Sequence, residues 1–369
     1  MGSLPEVPST THFRSARISA SSAPARALRC LQPASILLYP LLALALRSLS
    51  PSAMNVVELT TKEEKDQLHA DLVERLSDPS QNPYGDTDWL CQYFPMMSSM
   101  PNCRTFAAVL EEKNVGLMCS FEVRPTEIFL NGLRTDPSIR RRGFATQILK
   151  GMDSKLKAAG MTAIRMGVAS WNEPMTKLSE EKLGLVGTEY CGIRCKEYAK
   201  EAEELPIRKA TADDRAAIFA LAHSDEMVGI SGGFVQCAPG QFCAASAEYF
   251  DGVIAEGHTY VTESSDGGIG AVAVLSPNPF QPQPGLNFVA GHTDDAIITI
   301  MSGLRKYAPK PENNEENGSG GTIPVQLFGY LPMASQAIKL VVGGKVPGWE
   351  RHTTTFEKVY GWEAGGLSK

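Results

Sequence analysis

The chain has 369 residues, enough for about two or three domains. Its 43% hydrophobic and 21% charged content is ordinary for globular protein, and a net charge of −6 argues against a general nucleic-acid binder, whose footprint would be basic. Eight cysteines occur without a Cys-x-x-Cys pair; Cys191 and Cys195 are four apart, Cys237 and Cys243 six apart, and no histidine stands suitably close, so free thiols are expected rather than a zinc site or disulfide framework.

Residues 1–53 differ from the rest. After Glu6 no acidic residue occurs until Glu58, while Arg14, Arg17, Arg26, Arg29 and Arg47 are interspersed with Ser and Ala. That composition fits an organellar transit peptide, which would send the protein to a mitochondrion or plastid. Ile36 to Leu46 is apolar but broken by Pro40 and ended by Arg47, too short for a stable membrane span, though it could be the core of a signal peptide. A third reading starts the protein at Met54, as a cytoplasmic chain.

A first domain is expected over 55–198. Val56 to Leu59 reads as a strand. Thr61 with Glu64 makes a capping box, and the helix it opens runs toward Leu76. Ser77 to Gly85 reads as a loop, followed by a second helix from about Asp88 to Phe94 that should end at Pro95. Strands are expected near Phe106 to Leu110, Gly116 to Val123 and Glu127 to Leu133, Cys119 lying in a core strand. Then come Thr135-Asp136-Pro137 and Arg140-Arg141-Arg142-Gly143-Phe144-Ala145, opening a long helix. Its Ile148, Leu149, Met152 and Leu156 share one face, and Gly160 closes it. Unpaired N–H groups and the helix dipole make such a start favourable for an anion, and Gly143 and Ala145 leave room for close approach. A strand over Thr162 to Val168, Asn172, a helix with Met175 and Leu178, and Gly184-Leu185 complete the stretch.

The Arg-x-x-Gly-x-Ala pattern between a strand and a helix resembles the coenzyme A signature of the GNAT superfamily of acetyltransferases. The order strand-helix-helix-strand-strand-strand-helix-strand-helix-strand is similar to that of the family. The resemblance implies an α+β fold with a mixed sheet, and acetyl-coenzyme A as cosubstrate. It places the backbone of Leu133, Arg134 and Thr135 beside the pantetheine arm. Arg140, Arg141, Arg142, Gly143, Phe144, Ala145 and Thr146 would surround the pyrophosphate, and Asn172 would contact the coenzyme or cap its helix.

After a charged linker over 199–206, residues 207–369 resemble a second, degenerate GNAT-like domain in coarse order. Ile207 to Lys209 leads into a Thr211 to Asp214 cap and a helix with Ile218, Leu221 and Ala222. Strands near Thr259 to Thr262 and Ile269 to Leu275, a helix with Ile297, Met301 and Leu304, and a strand near Val325 to Tyr330 follow. Where a phosphate loop would stand there is Gly291-His292-Thr293-Asp294-Asp295, whose carboxylates would repel a phosphate. Pro309 to Gly321 reads as a polar surface loop. One intact module followed by a degenerate one is similar to the histidine N-acetyltransferase family, with Tyr84-Gly85, Gly132-Leu133-Arg134 and the final Thr355 to Tyr360 carrying that narrower resemblance.

The implied reaction is direct attack of a neutral amine on the thioester carbonyl, with no metal and no acyl-cysteine. A protonated amine must first lose a proton. Glu127, at the start of the fourth strand, is the candidate base, and Asn131 a candidate to orient water or amine. Strand alternation would put Glu127, Phe129, Asn131, Leu133 and Thr135 on one face. Tyr84 is a candidate for the acceptor pocket. Many family members carry a tyrosine seven residues after the asparagine that matches Asn172; here that residue is Ser179, leaving no dedicated acid unless Tyr190 approaches from elsewhere. None of the six histidines forms a metal-ligand pair. The acceptor is expected to be a small amine, with a free amino acid such as histidine as the candidate; a protein or peptide acetyltransferase and a non-catalytic acyl-coenzyme A sensor stand as alternatives. Oligomeric state is open.

Overall fold

The computed structural model describes residues 54–76, 88–195, 198–238, 240–277, 284–308 and 327–367. The expectations for 1–53, for the loop 77–85 with Tyr84 and Gly85, and for 309–321 lie outside the described residues. The first stretch contains β1 (Asn55–Leu59), α1 (Lys62–Leu76), α2 (Trp89–Ser99), β2 (Cys103–Leu110), β3 (Lys113–Arg124), β4 (Glu127–Thr135), α3 (Phe144–Ala158), β5 (Ala163–Ala169), α4 (Glu173–Lys177) and β6 (Gly187–Cys195). The second contains β7 (Ile207–Lys209), α5 (Arg215–Ala222), α6 (Asp225–Ser231), β8 (Phe234–Ala238), β9 (Gln241–Ala244), α7 (Ala247–Ala255), β10 (Thr259–Glu263), β11 (Ile269–Ser276), β12 (Gly285–Gly291), α8 (Asp294–Leu304), β13 (Leu327–Pro332), α9 (Gln336–Val342) and β14 (Trp349–Glu363). It is a mixed α+β architecture, as the element order suggests.

Both stretches contribute to one 12-stranded sheet in the order β1-β2-β3-β4-β5-β14-β6-β13-β12-β11-β10-β7. The middle of that order is crossed over. The last strand of the chain, β14, pairs antiparallel with β5 from Glu357↔Ala169 to Glu363↔Ala163, while β6 of the first stretch pairs with β13 of the second. Each stretch therefore completes the other's sheet. Beyond β14 the chain is fastened to α3: buried Asp153 accepts from Trp362 Nε1 and from the backbone N–H groups of Gly365 and Leu367 at 2.8–3.0 Å.

Local chemistry sets the element ends. The capping box at α1 is formed, Thr61 N–H donating to Glu64 and Glu64 N–H to Thr61 Oγ1. Gly160, with φ of 84°, ends α3. Pro95 does not end α2, contrary to expectation; the helix continues to Ser99. A proline inside a helix costs roughly 3 kcal/mol. Here it is offset by burial of Leu90, Phe94 and Met97 against Leu68 and Leu72 of α1, an apolar face that runs past the proline.

Buried Asp88 caps α2 through Leu90 N–H and holds Arg134 of β4 in a bidentate ion pair, with contacts of 2.6 and 2.9 Å. Removing one partner of a buried pair strands the other charge. Asp88→Ala should therefore destabilise the protein by about 3–5 kcal/mol, read as a lower urea midpoint; a loss below about 1 kcal/mol would show that the pair does not hold α2 to the sheet.

Candidate active site

The loop joining β4 to α3 wraps tightly. Asp136 N–H donates to Val115 O of β3 at 2.8 Å, and the Asp136 carboxylate accepts from Ser138 N–H and Oγ while pairing with Arg75 at 3.0 Å. Arg140 Nε donates to Thr135 O. Arg141, with φ of 63°, occupies the left-handed region that non-glycine residues rarely adopt, and Gly143 follows at 83°. Strain of this kind gathers at binding loops. α3 then starts without a side-chain cap or an acidic residue in its first turn, and Lys155 and Lys157 complement the dipole at its far end. Arg141, Arg142 and Gly143 are exposed; Phe144, Ala145 and Thr146 are half-buried. Gly143 is needed for its φ rather than for space, since a Cβ there would meet nothing within 4 Å.

Beside this helix end the sheet opens. β4 and β5 run parallel from Glu127↔Ala163 to Leu130↔Met166, and there their ladder stops, although β4 continues to Thr135 and β5 to Ala169. A bulge in β4 accompanies the split. Asn131 pairs with Cys119 but Arg134 with Leu117, so β4 carries one extra residue. Gly132, at φ of 74°, makes the bulge possible, and a Cβ there would lie 2.8 Å from Leu90.

The bulge corrects the expected alternation. Glu127, Phe129 and Asn131 do share the face toward α1 and α2, but Leu133 packs with the cluster on the α3 side. Arg134 returns to the α2 side, where its guanidinium is buried against Asp88 and donates to Leu133 O. Asn172 accepts from Met175 N–H at 3.3 Å as the cap of α4. Ser179, buried in the wider turn after α4, donates to Met175 O at 2.9 Å. Tyr190 cannot serve as a proton donor from elsewhere: it is buried, its hydroxyl donates to Ser231 O and Phe234 O, and burial pushes its pKa far up.

Glu127 Oε2 accepts from Ala244 N–H at 3.0 Å and lies 3.5 Å from Arg165. These contacts tie the β8–β9 hairpin to β4, and Phe242 of that hairpin sits 4.7 Å from Tyr190 and 6.0 Å from Phe129, ring centre to ring centre. The second stretch has its own split, since β12 and β13 pair only at Gly285↔Phe328 and Leu286↔Gly329. There the hairpin's buried Gln236 accepts the N–H of Tyr330 at 2.7 Å. The adjoining helix α8 starts with a Thr293 cap and two carboxylates, Asp294 and Asp295. Gly291 serves packing, a Cβ there falling 2.6 Å from Ile297. Among the described residues no cluster of three His, Cys, Asp or Glu is placed to hold a metal, and no helix is long and apolar enough to cross a membrane.

Residues 67–185 match the sequence model of the acetyltransferase (GNAT) family. That stretch, about a third of the chain, is what the family model is similar to. Similar solved structures include a GCN5-related N-acetyltransferase from Sphaerobacter thermophilus (10% identity, TM-score 0.48, 84% of this chain and 96% of that one). A tandem GNAT protein from the clavulanic acid biosynthesis pathway aligns at 11% identity and TM-score 0.43, over 85% and 99%. A GCN5-related N-acetyltransferase from Kribbella flavida aligns at 12% and 0.40, over 85% and 72%. No curated protein matches the chain in sequence.

Beside the split between β4 and β5 lies a carboxylate that sequence reasoning missed. Glu357 of β14 is half-buried. Burial pushes its pKa up to about 7, and a hydrogen bond with Tyr330 opposes the shift. The local signal was slight: alternation puts Glu357 on the same face as Val359, which is buried. What it would stand beside was not readable.

Because the folded state holds this proton above the usual carboxylate value of 4.5, the associated stability is full below that pH and is lost as pH rises through about 7. Between pH 4.5 and 8 the wild type should lose on the order of 3 kcal/mol relative to Glu357→Gln, measured as the difference in urea midpoints. Parallel pH curves for the two proteins would refute this.

Proposed function

We propose that this protein transfers the acetyl group of acetyl-coenzyme A to the amine of a small molecule, with a free amino acid such as histidine as acceptor. The observation that carries the reading is the conjunction at β4: its ladder with β5 ends at Leu130↔Met166, and the uncapped start of α3 with left-handed Gly143 stands at the end of the loop that follows. An extended pantetheine chain can take up the edge of β4 left without a ladder partner on the β5 side, around Leu133 to Thr135, while Arg140 to Thr146 hold the pyrophosphate at a helix start. Asn172 lies within the same module, at the start of α4.

On the opposite sheet face the β8–β9 hairpin crowds Glu127 and Phe129. That favours a small acceptor over an extended peptide. The second stretch serves as cover and scaffold rather than as a second coenzyme site, given the Gln236 contact in its split and the acidic start of α8. A non-catalytic acyl-coenzyme A sensor is the second reading, supported by Ser179, whose hydroxyl is already bonded to its own helix.

The full chain with acetyl-coenzyme A and a panel of free amino acids, polyamines, arylamines and peptides should release coenzyme A thiol with a free amino acid. Turnover only on peptides would replace the small-molecule reading, and binding without turnover would favour the sensor. Gly143→Val should weaken acetyl-coenzyme A binding about tenfold or more, since a left-handed β-branched residue is strained by roughly 1–2 kcal/mol and must shift the loop. Calorimetry reads that loss directly, and unchanged affinity would move the coenzyme away from this loop.

A further inference from the structure

The antiparallel ladders place Glu357 opposite Ala169 of β5 and Tyr190 of β6. Its side chain does not stay above its own strand. Glu357 Oε2 would lie 2.9 Å from a Cβ on Gly167, and Phe129 Cζ of β4 lies 3.1 Å from the same point. Gly167 is the first residue of β5 after the last pair with β4. The carboxylate therefore reaches across β5 to the mouth of the split, over a position that has to be glycine to admit it. It lies on the face that carries Phe129 and Asn131, opposite the face on which α3 packs. Glu357 as a whole is half-buried.

We propose that Glu357, delivered by the last strand of the chain, is the general base that takes the proton from the acceptor amine; this rests on the acetyltransferase reading above. Glu127 is less suited, being committed to Ala244 N–H and Arg165 and standing before the point where the strands part.

The step balances as follows. The carboxylate takes one proton from the ammonium form, giving a neutral amine and a carboxylic acid. The nitrogen lone pair forms the C–N bond to the acetyl carbon, the C–S bond breaks with its electrons on sulfur, and the amide nitrogen loses its second proton. One proton ends on the thiolate and one in solvent. The titratable and charged groups on the elements around the carboxylate include Arg165 of β5, Glu127 of β4, Tyr190 of β6, Tyr330 of β13, and Cys237 and Cys243 of the hairpin. Of these Tyr330 is hydrogen-bonded to it, and its pKa is set by burial and that bond alone.

The test uses the full chain, acetyl-coenzyme A and the best acceptor of the panel. Glu357→Gln should lower kcat about 100-fold or more while leaving the Kd for acetyl-coenzyme A unchanged. The acidic limb of the wild-type kcat/KM profile, with an apparent pKa near 7, should vanish, and Glu357→Asp should retain part of the rate and of the limb. A Glu357→Gln rate within about threefold of wild type, or a limb that persists in it, overturns the proposal. So does Glu127→Gln removing the limb while Glu357→Gln keeps it. Should Glu357→Gln fail to fold, the wild-type profile still decides: no limb between pH 6 and 8 overturns the proposal. A wild type inactive on every amine overturns the acetyltransferase reading and this proposal with it, whereas an active wild type with an indifferent Glu357→Gln overturns only the proposal.

Discussion

The ladder between β5 and β14 is the contact on which the rest of this structure depends. A parallel pair such as β4 and β5 can part at one end only if each strand is held firmly on its other side. β3 holds β4, and β14 holds β5 along its whole length. Because β14 comes from the far end of the chain, the first stretch has no complete sheet until the second is in place. The Asp153 bonds then fix the residues after β14 to α3. Folding of α3 and of the chain end are therefore coupled.

The two splits in the sheet show how one architecture can be kept open or closed by a few residues. In the first, a glycine bulge turns Asn131 and Leu133 to opposite faces, and the neighbouring helix begins with an uncapped, acid-free turn. In the second, Gln236 satisfies backbone within the split, and Thr293, Asp294 and Asp295 give the helix its own cap and an anion-repelling start. Between them, the β8–β9 hairpin touches both sides: Gln236 enters the second split, while Phe242 and the Ala244 N–H pack on the paired part of β4 that leads to the first.

Much of this was legible in the chain. The loop from Thr135 to Gly143, the apolar face of α3, the capping boxes at Thr61 and Thr211, and the acidic start of α8 are local, since each depends on residues within a turn or two. The reading failed where distant packing decided the outcome. Pro95 was overridden by an apolar face that continues beyond it. The alternation of β4 was broken by Gly132, whose bulge is set by register with β3 and by Leu90 above it. Tyr190 was a possible donor until its hydroxyl was seen bonded to two carbonyls of the second stretch.

By itself the sequence determined most elements of the first stretch, the helix start suited to an anion and the absence of that feature in the second stretch, because capping, periodicity and charge act over a few residues; α6, β8, β9, α7, β12 and α9 it did not show. Only the tertiary structure decided which strands are neighbours. Glu357 and Gly167 are 190 residues apart in the chain, and nothing in either segment specifies the other. Ladder pairing across the whole sheet brings them together, because β5 needs a partner and the last strand supplies it.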